Sequence, residues 1–91
     1  MTDEASATVP ITNRRGLHAR AAAKLVGVAA GFNAQITVER AGTVVSGCSI
    51  LGLMMLGAAL GSEIVIRATG QQAAEAVKAL RALVEAKFDE E

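Results

Sequence analysis

Apolar and polar positions along this chain fall into successive blocks whose period changes from two to nearly four and back. Ala7, Val9 and Ile11 alternate with Ser6, Thr8, Pro10 and Thr12, which predicts a strand with one buried face. Ala19 to Ala30 is rich in alanine and reads as a helix. After the breakers Gly31 and Asn33, the segment from Ala34 to Glu39 alternates cleanly and predicts a second strand. Ala41-Gly42 offers a turn and Thr43-Val44-Val45 a shorter third strand, so this pair reads as a hairpin. Gly47 interrupts the pattern, and Ser49 is placed to cap a short helix from Ile50 to Leu56. Gly57 to Gly61 reads as a loop with glycine at each end, and Glu63 to Thr69 as a β-branched strand expected inside its sheet. From Gln71 to Lys87 the pattern is helical again. Ala73, Val77, Leu80, Val84 and Phe88 recur on one face, with Gln72, Glu75, Lys78, Arg81 and Glu85 on the other.

The resulting order is β-α-β-β-α-β-α, with no internal repeat or linker. Each apolar stripe needs a cover, and a sheet face is the natural one, so the expected class is an α+β, two-layer open-faced sandwich. A chain of 91 residues reads as a single domain, 1–91, with flexible ends at 1–5 and 89–91. A domain of this size buries a little over roughly 60% of its unfolded surface, which leaves no room for a deep substrate pocket.

Composition removes several classes. The 52% hydrophobic fraction is inflated by alanine, and its apolar runs are far shorter than the roughly 20 residues of a membrane span. Asp3 and Glu4 do not fit a secretory leader, so a cytoplasmic protein without membrane insertion is expected. One cysteine, Cys48, and one histidine, His18, build neither a disulfide nor a metal site. No cofactor is expected, and Cys48 reads as a small packed side chain. Net charge is zero and there is no Trp or Tyr, which argues against nucleic-acid binding. The charges are nevertheless segregated: Arg14, Arg15, Arg20 and Lys24 surround His18, while acidic residues gather at Asp3-Glu4 and Asp89-Glu90-Glu91.

The candidate chemistry sits in Gly16-Leu17-His18-Ala19-Arg20, where strand gives way to helix. A helix N-terminus offers backbone N–H donors and a positive dipole end, which together favour an anion and disfavour imidazolium. His18 then offers an unprotonated nitrogen to phosphorus, and the helix donors, including Ala19, with the Arg20 guanidinium hold the phosphoryl group that results. Gly16 is expected to turn tightly and approach the phosphoryl oxygens.

The run Ile11-Thr12-Asn13-Arg14-Arg15-Gly16-Leu17-His18-Ala19-Arg20 resembles the active-site segment of the HPr family, the histidine phosphocarriers of the phosphoenolpyruvate-dependent phosphotransferase system. Ser49-Ile50-Leu51-Gly52-Leu53-Met54-Met55-Leu56 is similar to the family's second landmark, and Phe88-Asp89-Glu90-Glu91 resembles tails of its nitrogen-related branch, NPr. The resemblance implies a four-stranded antiparallel sheet in the order 1-4-2-3, with three helices on one face. It also implies a phosphoryl group passed from phospho-enzyme I to His18 and on to an EIIA-type protein, in sugar uptake or nitrogen-related regulation. His18 and Arg20 would carry the transfer, supported by Gly16, Ala19 and Asn13. Ser49 matches a serine that an HPr kinase/phosphorylase modifies in many members. Two positions depart from the family: Ala21 replaces a common proline, and Cys48 a basic residue of many sugar-type members.

The helix after Ser49 is apolar on nearly every side, so part of it should be exposed and dock partners. By residue-wise match the docking surface comprises Ile50, Leu51 and Met54 beside Ala19, Arg20, Ala21 and Lys24. A helix that exchanges partners implies a monomer. A different class, a regulatory interaction domain controlled by Ser49, uses the same surface without needing His18. A hydrolytic enzyme is disfavoured because no carboxylate or cysteine lies near His18 in sequence.

Overall fold

β1 (Glu4–Pro10) and β4 (Glu63–Thr69) pair antiparallel along their whole length in the computed structural model, which describes residues 3–90. Their register sets Ala5 opposite Ala68, Ala7 opposite Ile66 and Val9 opposite Ile64, so small and apolar side chains share one face. β2 (Gln35–Arg40) lies on the other side of β4, with Ile36 opposite Ala68 and Val38 opposite Ile66. β3 (Thr43–Ser46) completes a four-stranded antiparallel sheet in the order β1-β4-β2-β3. This is the order the family resemblance implies, and β4 is internal as its β-branched run predicts.

Three helices cover the apolar face: α1 (Ala19–Ala29), α2 (Ile50–Met55) and α3 (Ala73–Glu85). α1 buries Ala21, Ala22, Leu25 and Ala29, and α3 buries Ala73, Ala76, Val77, Leu80 and Val84, both at helical spacing. These side chains and the inward strand residues form one core. The opposite face carries Ser6, Thr8, Thr37, Glu39 and Arg67, with Arg67 paired to Glu39 across strands, as an antiparallel sheet open to water on one side permits. Among the described residues no helix is long and apolar enough to cross a membrane.

Element ends shift where tertiary bonds take over. β1 reaches back to Glu4 and Ala5, placed by sequence in a flexible end, because they pair with Thr69 and Ala68. It stops at Pro10: Ile11 N instead donates to Ser62 O and Ile11 O accepts from Gly61 N. At the β2–β3 hairpin Ala41 and Gly42 both have positive φ (51° and 87°), the conformation such two-residue turns demand. α2 ends one residue early, with Leu56 as its C-cap. Cys48 is exposed in the turn before α2, not packed, since the chain there faces solvent.

The largest departure is at the C-terminus. α3 ends at Glu85 and the chain winds into a left-handed turn over Lys87–Asp89, with φ of 58°, 54° and 61°. Left-handed backbone costs about 1–2 kcal/mol per residue, while enclosing a Phe side chain contributes about 1.5–3 kcal/mol. Phe88 is fully buried, and the Lys24 Nζ donates to its carbonyl at 2.6 Å. Helical spacing therefore marked Phe88 as core, but the turn, not the helix, delivers it. Asp89 and Glu90, expected in a loose end, are carried back over the domain. Residues 1, 2 and 91 of those expected ends lie outside the described residues.

Candidate functional site

The connection from β1 to α1 is tied down before it reaches His18. Leu17 N donates to Ala58 O at 2.9 Å, which joins the connection to the loop preceding β4. Gly16 sits at φ 64°, and a Cβ there would lie 2.4 Å from Ala58 O, so only glycine fits on two counts. Its close approach here is to this neighbouring backbone, a packing reason for glycine that the sequence did not show. Asn13 is fully buried, with its Nδ2 donating to Gly16 O at 2.8 Å.

His18 is the N-cap of α1, with extended backbone and a carbonyl that accepts from Ala22 N at 2.8 Å. Its ring makes no capping bond and is left for a tertiary partner. That partner is Glu90: Oε2 meets the His18 Nε2, and Oε1 accepts from Asn13 Nδ2 at 2.9 Å. Asn13 thus acts through the tail carboxylate. Its own Oδ1 is buried without a hydrogen-bond partner among the described residues, a cost of about 1–3 kcal/mol.

The Asn13 hydrogen bond holds the Glu90 carboxyl below the usual carboxylate range; partial burial opposes this, and the His18 bond, the His18 charge and the Arg15 charge reinforce it. Glu90 is therefore ionised at neutral pH. No carboxylate lies near His18 along the sequence, and folding brings one there, because the left-handed turn after α3 returns the tail to the α1 N-terminus.

A shallow pocket of about 290 Å³ opens beside this pair, lined by Arg14, Arg15, Arg20, Lys24, Asp89 and Glu90. Ala19 and Arg20 are exposed in the first turn of α1, where backbone N–H groups lack intrahelical partners. None of the ion pairs among the described residues uses Arg14, Arg15 or Arg20. The corner can therefore receive a multiply charged anion at an imidazole, with guanidinium groups on its flank. Lys24 is half-buried and bonded to Phe88 O, so it ties the tail as well as contributing charge.

Of the residues expected to dock partners, Ala21 is fully buried against the core and is unavailable for contact, because it faces inward from the first turn of α1. Ile50, Leu51 and Met54 are exposed, joined by Met55 at 74% exposure, while Leu53 and Leu56 supply the buried side of α2. Ser49 caps α2, with its Oγ accepting from Gly52 N at 3.0 Å. α1 packs against α2, so the basic corner and the apolar helix adjoin.

Sequence reasoning missed Glu90 as a site residue. The available signal was weak: an apolar Phe88, two residues before Glu90, at a position that must be buried.

The sequence pattern described as "PTS HPr component phosphorylation site" matches residues 5–86. A phosphocarrier protein NPr from Shewanella violacea is 48% identical over 82 residues, 90% of each chain. A phosphocarrier protein HPr from Pseudomonas putida is 46% identical over 83 residues, 90% of this chain and 92% of that one. Among solved structures, HPr-C-His from Thermoanaerobacter tengcongensis superposes with a TM-score of 0.91 at 44% identity, covering 96% of this chain and 98% of that one.

Proposed function

The chain belongs to the HPr family of phosphotransferase-system phosphocarriers, and we propose that His18 is the residue on which it carries the phosphoryl group. The observation that carries this reading is the placement of the only histidine at the N-terminus of α1, beside three arginines outside every described ion pair. A neutral ring nitrogen of His18 attacks phosphorus as the donor's N–P bond breaks. The first-turn N–H groups at Ala19 and Arg20 and the Arg20 guanidinium then neutralise the dianion. Positioning and charge neutralisation are sufficient for such transfer, which suits a shallow, open site.

Phospho-enzyme I is the donor and an EIIA-type protein the acceptor in this reading, both seated on the exposed side chains of Ile50, Leu51 and Met54 with Arg20 and Lys24. The protein acts as a cytoplasmic monomer. Ser49 is a second phosphorylation site by family match, where phosphate would put negative charge into the docking surface. Relatives named NPr and HPr match at similar identity, and the NPr-like tail favours the nitrogen-related branch.

The test is labelled phosphoenolpyruvate with enzyme I and magnesium, comparing wild type with His18→Ala. Acid-labile label in wild type and none in the variant is expected, with an unchanged fold, because the ring makes no capping bond. Equal label in His18→Ala overturns the assignment.

A further inference from the structure

α2 presents its apolar side chains to solvent as two stacked pairs. Leu53 and Leu56 turn to the core, which leaves Ile50 with Met54 and Leu51 with Met55 at i, i+4 spacing on the outer side. Met54 is 42% and Met55 74% exposed, so both are open to a small oxidant, and they are the only methionines among the described residues. Leucine would supply similar apolar surface here, whereas a thioether adds a sulfur that oxidants attack. Neither side chain belongs to the core, so a change in its polarity alters the face and leaves the fold. A sulfoxide is a hydrogen-bond acceptor, and a partner seated on α2 would bury it unpaired. We propose that Met54 and Met55 form a reversible oxidation site for hydroperoxides, and that their sulfoxides switch off docking on α2. This rests on the reading of α2 as the face that seats phospho-enzyme I.

In the forward step a sulfur lone pair attacks the hydroxyl oxygen of the peroxide, and an S–O bond forms as the O–O bond breaks. The hydrogen of that oxygen passes to the departing one, which leaves as water or an alcohol. Sulfur loses two electrons and the peroxide gains them. A methionine sulfoxide reductase reverses the step, its thiols becoming a disulfide as the oxygen leaves as water. Cys48, exposed in the turn before α2, is the other sulfur within reach, but its sulfenic acid and disulfide forms are undone by thiols alone.

Full-length wild type and the double variant Met54→Leu/Met55→Leu test this, each treated with hydrogen peroxide and then dithiothreitol, and each compared with its own untreated sample. Fragment mass spectra of the tryptic peptide 41–67 place the added oxygen. Amide shifts on titration with unphosphorylated enzyme I read docking alone, and label uptake from phospho-enzyme I reads docking with transfer. Treated wild type is expected to carry oxygen on Met54 and Met55 and to keep its unfolding midpoint. Its affinity for enzyme I and its uptake should each fall about tenfold, as for burial of one unpaired polar group. Methionine sulfoxide reductase should restore both. Peroxide should change neither value in the double variant, whatever its starting level. An equal loss in the double variant assigns the effect to another residue and overturns the inference. So does undiminished docking with both sulfurs oxidised, or a treated wild type whose Met54 and Met55 carry no oxygen. If untreated wild type binds enzyme I yet takes no label, the carrier reading of His18 fails, and the titration still decides the oxidation site. If it does not bind enzyme I, both fall.

Discussion

Around His18 the defining partner, Glu90, arrives from 72 residues away, whereas α2 builds its exposed apolar face from a six-residue helix with its own serine cap. The first region depends on a buried asparagine, a left-handed turn and a fully enclosed Phe88. The second depends on little beyond local chain. The two jobs proposed for them explain the difference: a reacting atom must be oriented through rigid partners, while a docking face that accepts several proteins needs mainly exposure and soft, adaptable side chains.

The largest effect expected from breaking this contrast is Phe88→Ala. Emptying that site should cost about 3–5 kcal/mol and release the tail from His18, while the Ser49 cap bond of α2 persists. Thermal unfolding and the amide spectra of α2 check both halves. Unchanged stability would remove Phe88 as the anchor. Leu51→Asp attacks the other region. Leu51 is 68% exposed, so stability should move by no more than about 0.5 kcal/mol, yet uptake from phospho-enzyme I should slow about tenfold, which corresponds to about 1.4 kcal/mol of lost docking energy. Ser49→Asp, which keeps a capping oxygen and adds charge at the same surface, should slow uptake less. Wild-type rates in both would place docking elsewhere.

The smallest effect expected is the acid response of the tail. The Glu90 carboxyl is depressed in the folded chain, chiefly by its hydrogen bond from Asn13, so its contribution is complete above the ordinary value of 4.5 and is lost as pH falls through the lower folded value. Nuclear Overhauser contacts of the Phe88 ring with the core should persist from neutral pH to 4.5 and weaken only below it. Their loss above 4.5 would show that an ionised Glu90 does not hold the tail.

Most of the fold could be read from periodicity because burial on one face leaves a local imprint. The alternation of Ala7 and Val9 against Ser6 and Thr8 is visible without knowing that Ile66 and Ile64 lie opposite. The helix from Ile50 and its cap could be read for the same reason. Strand order could not, since pairing depends on which strands meet and not on the pattern within each, and it came only from the family resemblance.

The site divides along the same line. The sequence by itself determined that His18 stands at a helix N-terminus among arginines, that Ser49 caps α2, and that part of α2 must remain exposed, because helix ends, caps and charge runs are local properties. Only the tertiary structure decided that Gly16 is packed against Ala58, that Ala21 faces the core, and that Glu90 lies on His18 with Asn13 behind it. Those contacts join residues far apart in the chain, and burial of Phe88 together with the tertiary hydrogen bonds from Lys24 and Asn13 to the tail opposes the local preference against three successive left-handed residues. No pattern near His18 could have reported a carboxylate that the far end of the chain supplies.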